Sequence, residues 1–465
     1  MIQGQGKTIK TYSPTDGTVY KEYQLHTKEQ AESIIEESHK SFQDWRETNL
    51  SNRIKIVNKI GDILEERKAE LSKMITKQMG KPIAQSKDEI DLCVAICRYT
   101  AKEAESVLSD EKRELLDGSQ GLVTYQPLGV ILGMQPWNFP FYQCIRYSIA
   151  VIIGGNTTVF KHAEICFETA EKISEIYKEA GLPEGVFSPI FVEDETADEL
   201  IEHKLVRGVT FTGSAEGGKL VAKKAGENLK KSVMELGGSD AYIVLADTKI
   251  DDIIDTCVEG RINNGGQTCV AAKRFIIEDS VYDEFKEKFV AAMKEVNFGD
   301  PENDDCQMGP LAREDLRDDL HKQVKESIEK GATLLCGGEI PDRKGSYYPA
   351  TVLENLSEDS PAYKDELFGP VASLFRAKDL AHAIEIANDH RYGLGGGIFS
   401  GDKDKAIEIA KTKLNAGILN VNRYGVADPN VPFGGVKDSG YGREHGGFGL
   451  REFVNVKTVM IGKAA

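Results

Sequence analysis

No run of about 18 apolar residues occurs in this chain, so no segment suits a membrane-spanning helix. The opening residues, Met1-Ile2-Gln3-Gly4-Gln5-Gly6-Lys7, lack the apolar core of an export signal, which makes the cytoplasm the expected location. None of the 8 cysteines forms a C-x-x-C pair, and Cys93 and Cys97 sit one helical turn apart in a charged, amphipathic segment. That scatter argues against a disulfide framework and offers no metal site. Positive charge is also in short supply. Lys and Arg number 58 against 75 Asp and Glu, a net charge of −17, with no local basic patch to bind a phosphate backbone, so no nucleic-acid partner is expected. Internal repeats, low-complexity tracts and long linkers are absent as well.

What is present is the patterning of a multi-domain α/β protein, and 465 residues suffice for two or three domains with a large core. From Thr27 to about Asp110, apolar residues recur at helical spacing, as in Ile54-Val57-Ile60-Ile63-Leu64 and Ile90-Val94-Cys97. Gly80 and Lys81-Pro82 break the run once. Strands are expected at 122–127 and 130–134. Beyond them, strand-like and helical segments alternate (145–153, 157–160, 170–180, 209–211, 215–225), the mark of a parallel sheet with helices on its faces. A second α/β series starts near Ala241 and continues past Phe399. The final run, 453–461, is too long and apolar for a free edge strand and should pair with something, another subunit being the expected partner.

Two short motifs carry the chemistry. Gly265-Gly266-Gln267-Thr268-Cys269 sets a cysteine behind a small turn, and Glu235-Leu236-Gly237-Gly238 lies upstream. A lone cysteine is usually a small buried hydrophobe. A cysteine nucleophile with a glutamate base suits acyl chemistry through a thioester. Pro136-Trp137-Asn138-Phe139-Pro140 holds an asparagine whose amide can donate to an oxyanion together with the Cys269 N–H; the same residues also suit a plain strand-to-helix turn. Lys161 ends a strand, with Glu164 just after it. Both can reach nucleotide ribose hydroxyls at the carboxyl end of a sheet, or can form a surface ion pair. Phe211-Thr212-Gly213-Ser214 opens a helix onto which a pyrophosphate can dock, although the G-x-G-x-x-G fingerprint is missing. Glu366-Leu367-Phe368-Gly369-Pro370 and the glycine-dense 432–444 segment suit loops over a site and equally ordinary surface loops.

Taken together and in order, these segments resemble the NAD(P)-dependent aldehyde dehydrogenase superfamily over nearly the whole chain. Within it, Phe42-Gln43-Asp44-Trp45-Arg46, Lys161-His162-Ala163 and Glu235-Leu236-Gly237-Gly238-Ser239-Asp240 are most similar to the short bacterial succinate-semialdehyde dehydrogenases. The resemblance implies an α/β fold with a Rossmann-type cofactor domain (1–110 and 128–236), an α/β catalytic domain (237–440) and a small β extension (111–127 and 453–463) that builds a homodimer or homotetramer. It implies Cys269 as nucleophile, Glu235 as general base, Asn138 in the oxyanion hole and Glu444 on a proton path. For the cofactor it implies Trp137, Lys161, Glu164, Gly213 and Ser214 at the adenosine half. Glu366 would bind the nicotinamide ribose, Phe368 would pack nearby, and the Leu236 carbonyl would hold the carboxamide. The implied reaction is aldehyde oxidation: the thiolate adds to the aldehyde, hydride leaves to the nicotinamide, and water activated by Glu235 hydrolyses the thioester. Val270 and Ala271 follow the nucleophile, so no vicinal redox switch is expected.

A semialdehyde carrying a carboxylate needs a cation at the far end of its tunnel. Arg146 matches an arginine with that role in related enzymes, with Phe139, Tyr142 and Phe433 as apolar walls; a helix-surface arginine is the other reading. A second arginine found in some relatives is replaced by Asn263, for which Arg261 or backbone donors can compensate. Glu164 on the ribose would repel a 2′-phosphate, so NAD is expected, with NADP the alternative. The rival activities are oxidation of neutral aliphatic aldehydes and CoA acylation, against which Glu235 stands. A non-catalytic structural role and a cofactor-free thiol hydrolase are the rivals from other classes.

Overall fold

The computed structural model describes residues 3–462. Four helices, Lys28–Trp45, Leu50–Glu66, Lys68–Met79 and Ile83–Leu108, fill the first quarter of the chain. The first begins at a capping box: the Thr27 hydroxyl accepts from Gln30 N (3.3 Å), and the Gln30 side chain accepts from Thr27 N (3.0 Å). The third ends at Gly80, whose φ of 78° is left-handed and whose Cα faces Pro310 so closely that a Cβ would sit 2.7 Å from that ring. Pro82 then opens the fourth helix, which explains the break. Trp45 ties this bundle to the next layer by donating Nε1–H to the Ile152 carbonyl over 3.1 Å.

Two parallel-rich sheets form the body. The first has six strands in the order Gly440–Tyr441, Lys231–Glu235, Val206–Thr212, Val130–Gln135, Thr157–His162 and Phe187–Ile190. Five run parallel and the two-residue strand joins antiparallel. Both Val130–Gln135 and Thr157–His162 are buried along their whole length, which is why 130–134 and 157–160 read as apolar or β-branched runs before the polar residues at their carboxyl ends. The chain order reverses at Val130–Gln135 and Val206–Thr212, so the crevice beyond their carboxyl ends is a topological switch point.

The second sheet has seven strands, ordered Thr333–Cys336, Thr351–Glu354, Val371–Ala377, Ala272–Glu278, Asp240–Val244, Gly395–Phe399 and Ile418–Val421. All of its pairings are parallel except the first. Residues 111–114, 120–127 and 454–461 make a separate three-stranded antiparallel sheet. The C-terminal strand is therefore paired inside the chain, from Val454 opposite Pro127 to Ile461 opposite Gln120. Val456, Val459, Met460 and Ile461 stay exposed on it. The expected extension runs one residue further, to Lys463, which lies outside the described residues. Among the described residues no helix is long and apolar enough to cross a membrane, and all eight cysteines are free.

Candidate active site

Pro140 occupies the first position of the helix Pro140–Ile153, where its missing N–H costs nothing. The preceding turn thus carries Asn138 and Phe139 between the end of a buried strand and a helix start. Two buried charges brace it. Glu89 Oε1 accepts from Phe141 N (2.8 Å) and Tyr142 N (3.1 Å), its Oε2 pairs with the Lys81 ammonium, and Lys81 Nζ lies 3.6 Å from the centre of the Phe139 ring. Both side chains are fully buried.

The nucleophile loop is clipped to this turn. Asn138 Nδ2 donates to the Gln267 carbonyl (3.0 Å), Gln143 Nε2 donates to Asn138 Oδ1 (3.1 Å), and Asn264 Nδ2 donates to the Asn138 carbonyl (2.7 Å). One N–H of the Asn138 amide remains available after these bonds. Asn264 takes φ 56°, followed by Gly265 at 63° and Gly266 at 73°. These three left-handed residues reverse the chain just before Cys269. The Cys269 N–H finds no acceptor among the described residues. Its side chain is half-buried against Val270, Leu394 and Phe433. Burial pushes the Cys269 thiol up to about 12, against the opposing pull of Lys273 and Arg146.

Lys273 carries no sequence signal beyond being a lysine within an apolar strand. It is buried, and its ammonium donates to the carbonyls of Thr268 (2.9 Å) and Cys269 (2.7 Å) and pairs with Glu366 Oε1 (3.0 Å). Glu366 also accepts from Gly238 N (3.1 Å), so it bridges the nucleophile loop and the turn after Glu235. Arg261, weighed as a substrate cation, donates Nη2–H to the Gly266 carbonyl (2.8 Å), while its Nε and Nη1 have no hydrogen-bond partner among the described residues.

Glu235 ends its strand fully buried, and neither carboxyl oxygen has a hydrogen-bond partner among the described residues. Burial raises its pKa well above the ordinary carboxylate value, with Arg146 opposing. The backbone around it is fixed from two directions. Gly213 N donates to the Glu235 carbonyl (3.1 Å), and Leu236 N donates to the Ser439 carbonyl (3.0 Å). From the glycine-dense segment, Phe433 and Glu444 exchange backbone bonds of 2.7 and 2.8 Å.

Arg146 is buried and its Nε meets Glu444 Oε2 in an ion pair. Its Nη2 donates to Thr212 Oγ1 (2.9 Å), and its guanidinium carbon lies 5.1 Å from the Tyr142 ring centre and 4.9 Å from that of Phe433. Nη1 is buried with no partner. A helix-surface position is thereby ruled out for Arg146; it is an interior cation already facing one carboxylate. Phe139 packs edge-on to Tyr142 at 5.9 Å, so Phe139, Tyr142, Phe433, Arg146 and Glu444 converge, and both Arg146 and Glu444 bear electrostatically on Glu235.

At the switch point opens a cleft of about 1420 Å³ whose walls include Trp137, Lys161, Glu164 and Ser214. Ser214 caps the helix Ala215–Glu227, accepting from Gly217 N (3.1 Å). Glu164 is exposed, and the Lys161 ammonium pairs with Asp194, a partner that sequence reading did not supply. Trp137 meets Phe368 edge-on at 5.8 Å, joining the cleft to the Glu366 segment. The fit to a dinucleotide is good: a large cleft at the switch point, a capped helix N-terminus on its wall, and aromatic and charged groups at the strand ends.

Comparison with known proteins agrees with this geometry. The family model described as "Aldehyde dehydrogenase family" matches residues 1–459. The succinate semialdehyde dehydrogenase Sad of Escherichia coli (strain K12), named for NAD(P)+, is 42% identical over 428 residues, 92% of either chain. An aldehyde dehydrogenase of Paenarthrobacter nicotinovorans is 39% identical over 454 residues, covering 97% of this chain and 99% of its own. The crystal structure of succinic semialdehyde dehydrogenase from Streptococcus pyogenes in complex with NADP+ superposes with a TM-score of 0.94 at 36% identity, covering 97% of this chain and 99% of that one. With a thiol, a buried carboxyl and an amide gathered beside a dinucleotide-sized cleft, and with similarity extending over its whole length, the chain belongs to the aldehyde dehydrogenase family.

Proposed function

We propose that the protein oxidises a short aldehyde bearing a carboxylate at its far end, with succinic semialdehyde the best fit, to the corresponding acid. The observation that carries this reading is Arg146, a cation buried among Tyr142 and Phe433 with Nη1 unpartnered in a site that also holds Cys269. The names of the Escherichia coli and Streptococcus pyogenes relatives support it.

In this reading Cys269 Sγ adds to the aldehyde carbon. The oxyanion that forms is held by the remaining Asn138 amide N–H and the Cys269 N–H, both fixed in place before the reaction. A bound nicotinamide dinucleotide supplies the hydride acceptor. Cys269 then carries a thioester, and Glu235 accepts a proton from the water that hydrolyses it. Glu444 stands behind Glu235 on the proton path. Trp137, Lys161, Glu164, Gly213 and Ser214 hold the adenosine half of the cofactor, while Leu236, Glu366 and Phe368 hold the nicotinamide half. The cleft is lined by Arg313, Arg343 and Lys344 as well as by Glu164, Asp194, Glu195 and Asp198, and a carboxylate at Glu164 on the ribose is what supports NAD over NADP.

The same reading assigns residues 1–110 and 128–236 to the cofactor domain, 237–440 to the catalytic domain, and 111–127 with 453–463 to an extension that joins subunits into a dimer or tetramer. Support comes from the separate six-, seven- and three-stranded sheets and from the apolar residues exposed on the C-terminal strand. Eight free thiols support a reducing compartment, the cytoplasm.

A second reading, oxidation of neutral aliphatic aldehydes, draws on the ion pair itself, since Glu444 already neutralises Arg146. Initial rates of NADH formation with succinic semialdehyde, propanal and glutaraldehyde, for wild type and Arg146→Ala, separate the two. Selective loss of succinic semialdehyde oxidation supports the carboxylate reading. Equal use of all three by both proteins overturns it.

A further inference from the structure

Arg146 and Glu444 form a buried ion pair beside a second buried carboxyl, Glu235, and Nη1 of the cation has no hydrogen-bond partner among the described residues. An entering carboxylate adds a second negative charge to that pair in a place water does not reach. Buried charge without a partner is strongly disfavoured, and the cheapest relief is to neutralise one member. We infer that Glu444 is a built-in competitor for the substrate carboxylate, and that the substrate takes over Arg146 only as Glu444 picks up one proton from solution. This inference rests on the reading that Arg146 receives the substrate carboxylate.

The surroundings single out Glu444 as the proton acceptor. From its own helix Arg146 is joined by Tyr142 and Tyr147, from the neighbouring strand end comes Glu235, and Arg443, His445 and Glu452 flank from the C-terminal segment. Burial holds both tyrosines above their ordinary value and His445 down at about 3, so all three stay neutral through the working range. Arg443 donates to the carbonyls of Gly435 (2.9 Å) and Gly442 (2.6 Å), and Glu452 Oε1 accepts from Arg443 N (2.8 Å), so both are anchored elsewhere. Burial raises Glu235 above its ordinary value, and neither of its carboxyl oxygens has a hydrogen-bond partner among the described residues. Glu444 too is raised by burial, but it alone pairs directly with Arg146.

Proton uptake fixes the sign of the pH dependence. Between the pKa values of Glu444 in the free and bound states, binding consumes a proton, so affinity for a carboxylate falls as pH rises, by about tenfold per pH unit for one proton. The experiment is calorimetric titration of the full chain with succinate in HEPES and in Tris between about pH 7 and 9, for wild type and Glu444→Gln. The expected result is uptake of about one proton by wild type with a Kd that weakens about tenfold per unit. Glu444→Gln should bind succinate with no proton uptake and a flat Kd. Wild-type binding without uptake overturns this inference and leaves the substrate reading standing, as does uptake that persists in Glu444→Gln, which would put the proton on Glu235. Absence of any succinate binding by wild type overturns both.

Discussion

Asn264 reaches from a left-handed backbone position to donate its side-chain amide to the main-chain carbonyl of Asn138 over 2.7 Å. The bond ties the loop that carries Cys269 to the turn that carries the Asn138 amide. Asparagine tolerates φ of 56° better than most residues and also brings the donor, so one side chain meets both demands.

Replacing Asn264 with Ala should therefore lower kcat by roughly 10- to 100-fold while changing KM little, because the donor and the sulfur lose their relative placement. Steady-state kinetics checks this, with Asn264→Gly as the companion that relaxes the backbone but still lacks the bond. A wild-type kcat in both variants would show that the tie is dispensable.

Glu235→Gln separates the two halves of the reaction. Acylation of Cys269 should survive and hydrolysis should fail, giving a burst of about one NADH per active site followed by a rate roughly 10²–10⁴ lower. Stopped-flow absorbance reads this directly. A slow reaction with no burst would remove Glu235 from the hydrolytic step.

The free enzyme should hold Cys269 as a thiol at neutral pH, since burial lifts its pKa to about 12. Only the thiolate is alkylated. Iodoacetamide labelling of Cys269 should accelerate about tenfold per pH unit between about pH 7 and 10, with no plateau. A plateau below about pH 8 would mean that Lys273 and Arg146 outweigh desolvation.

Asp194 pairs with Lys161 on the wall of the large cleft. Because Asp194 is 87% exposed at its side chain, solvent screens the pair, and its removal should affect phosphate recognition more than stability. Asp194→Ser should raise kcat/KM for NADP relative to NAD by about tenfold, by freeing the ammonium for a 2′-phosphate. An unchanged ratio would leave Glu164 as the dominant discriminator.

Glu89→Ala should cost about 3–5 kcal/mol of stability, because it strands Lys81 in the interior and strips two helix N–H groups of their acceptor. Denaturant unfolding measures the loss. Pairing it with Lys81→Met should recover part of it, since the second change removes the orphaned charge.

The parts of the site that were legible from sequence are those where one local constraint dominates. A cysteine behind two glycines, a glutamate before two more, and an asparagine between prolines are patterns a few residues long. The helix break at Gly80 and Pro82 and the runs at 130–134 and 157–160, which fall within buried strands, were legible for the same reason. The pairing of Arg146 with Glu444 was not, because it joins a helix near the first sheet to a loop close to the C-terminus and leaves no trace in either neighbourhood. Lys273 and Asp194 left no local trace for a related reason: each meets its ion-pair partner, Glu366 for one and Lys161 for the other, only through the fold.

The two-residue strand Gly440–Tyr441 lies against the strand that ends at Glu235, and Phe433 and Glu444 come from the same late stretch of chain. Ribosomes deliver residues in order, at about 5–20 per second, so Cys269 emerges on the order of ten to some tens of seconds before Glu444. During that interval the thiol exists without the carboxyl partner of Arg146 and without the strand that clamps the base. Assembly of the pocket around Cys269 therefore waits for this late stretch of chain to fold back.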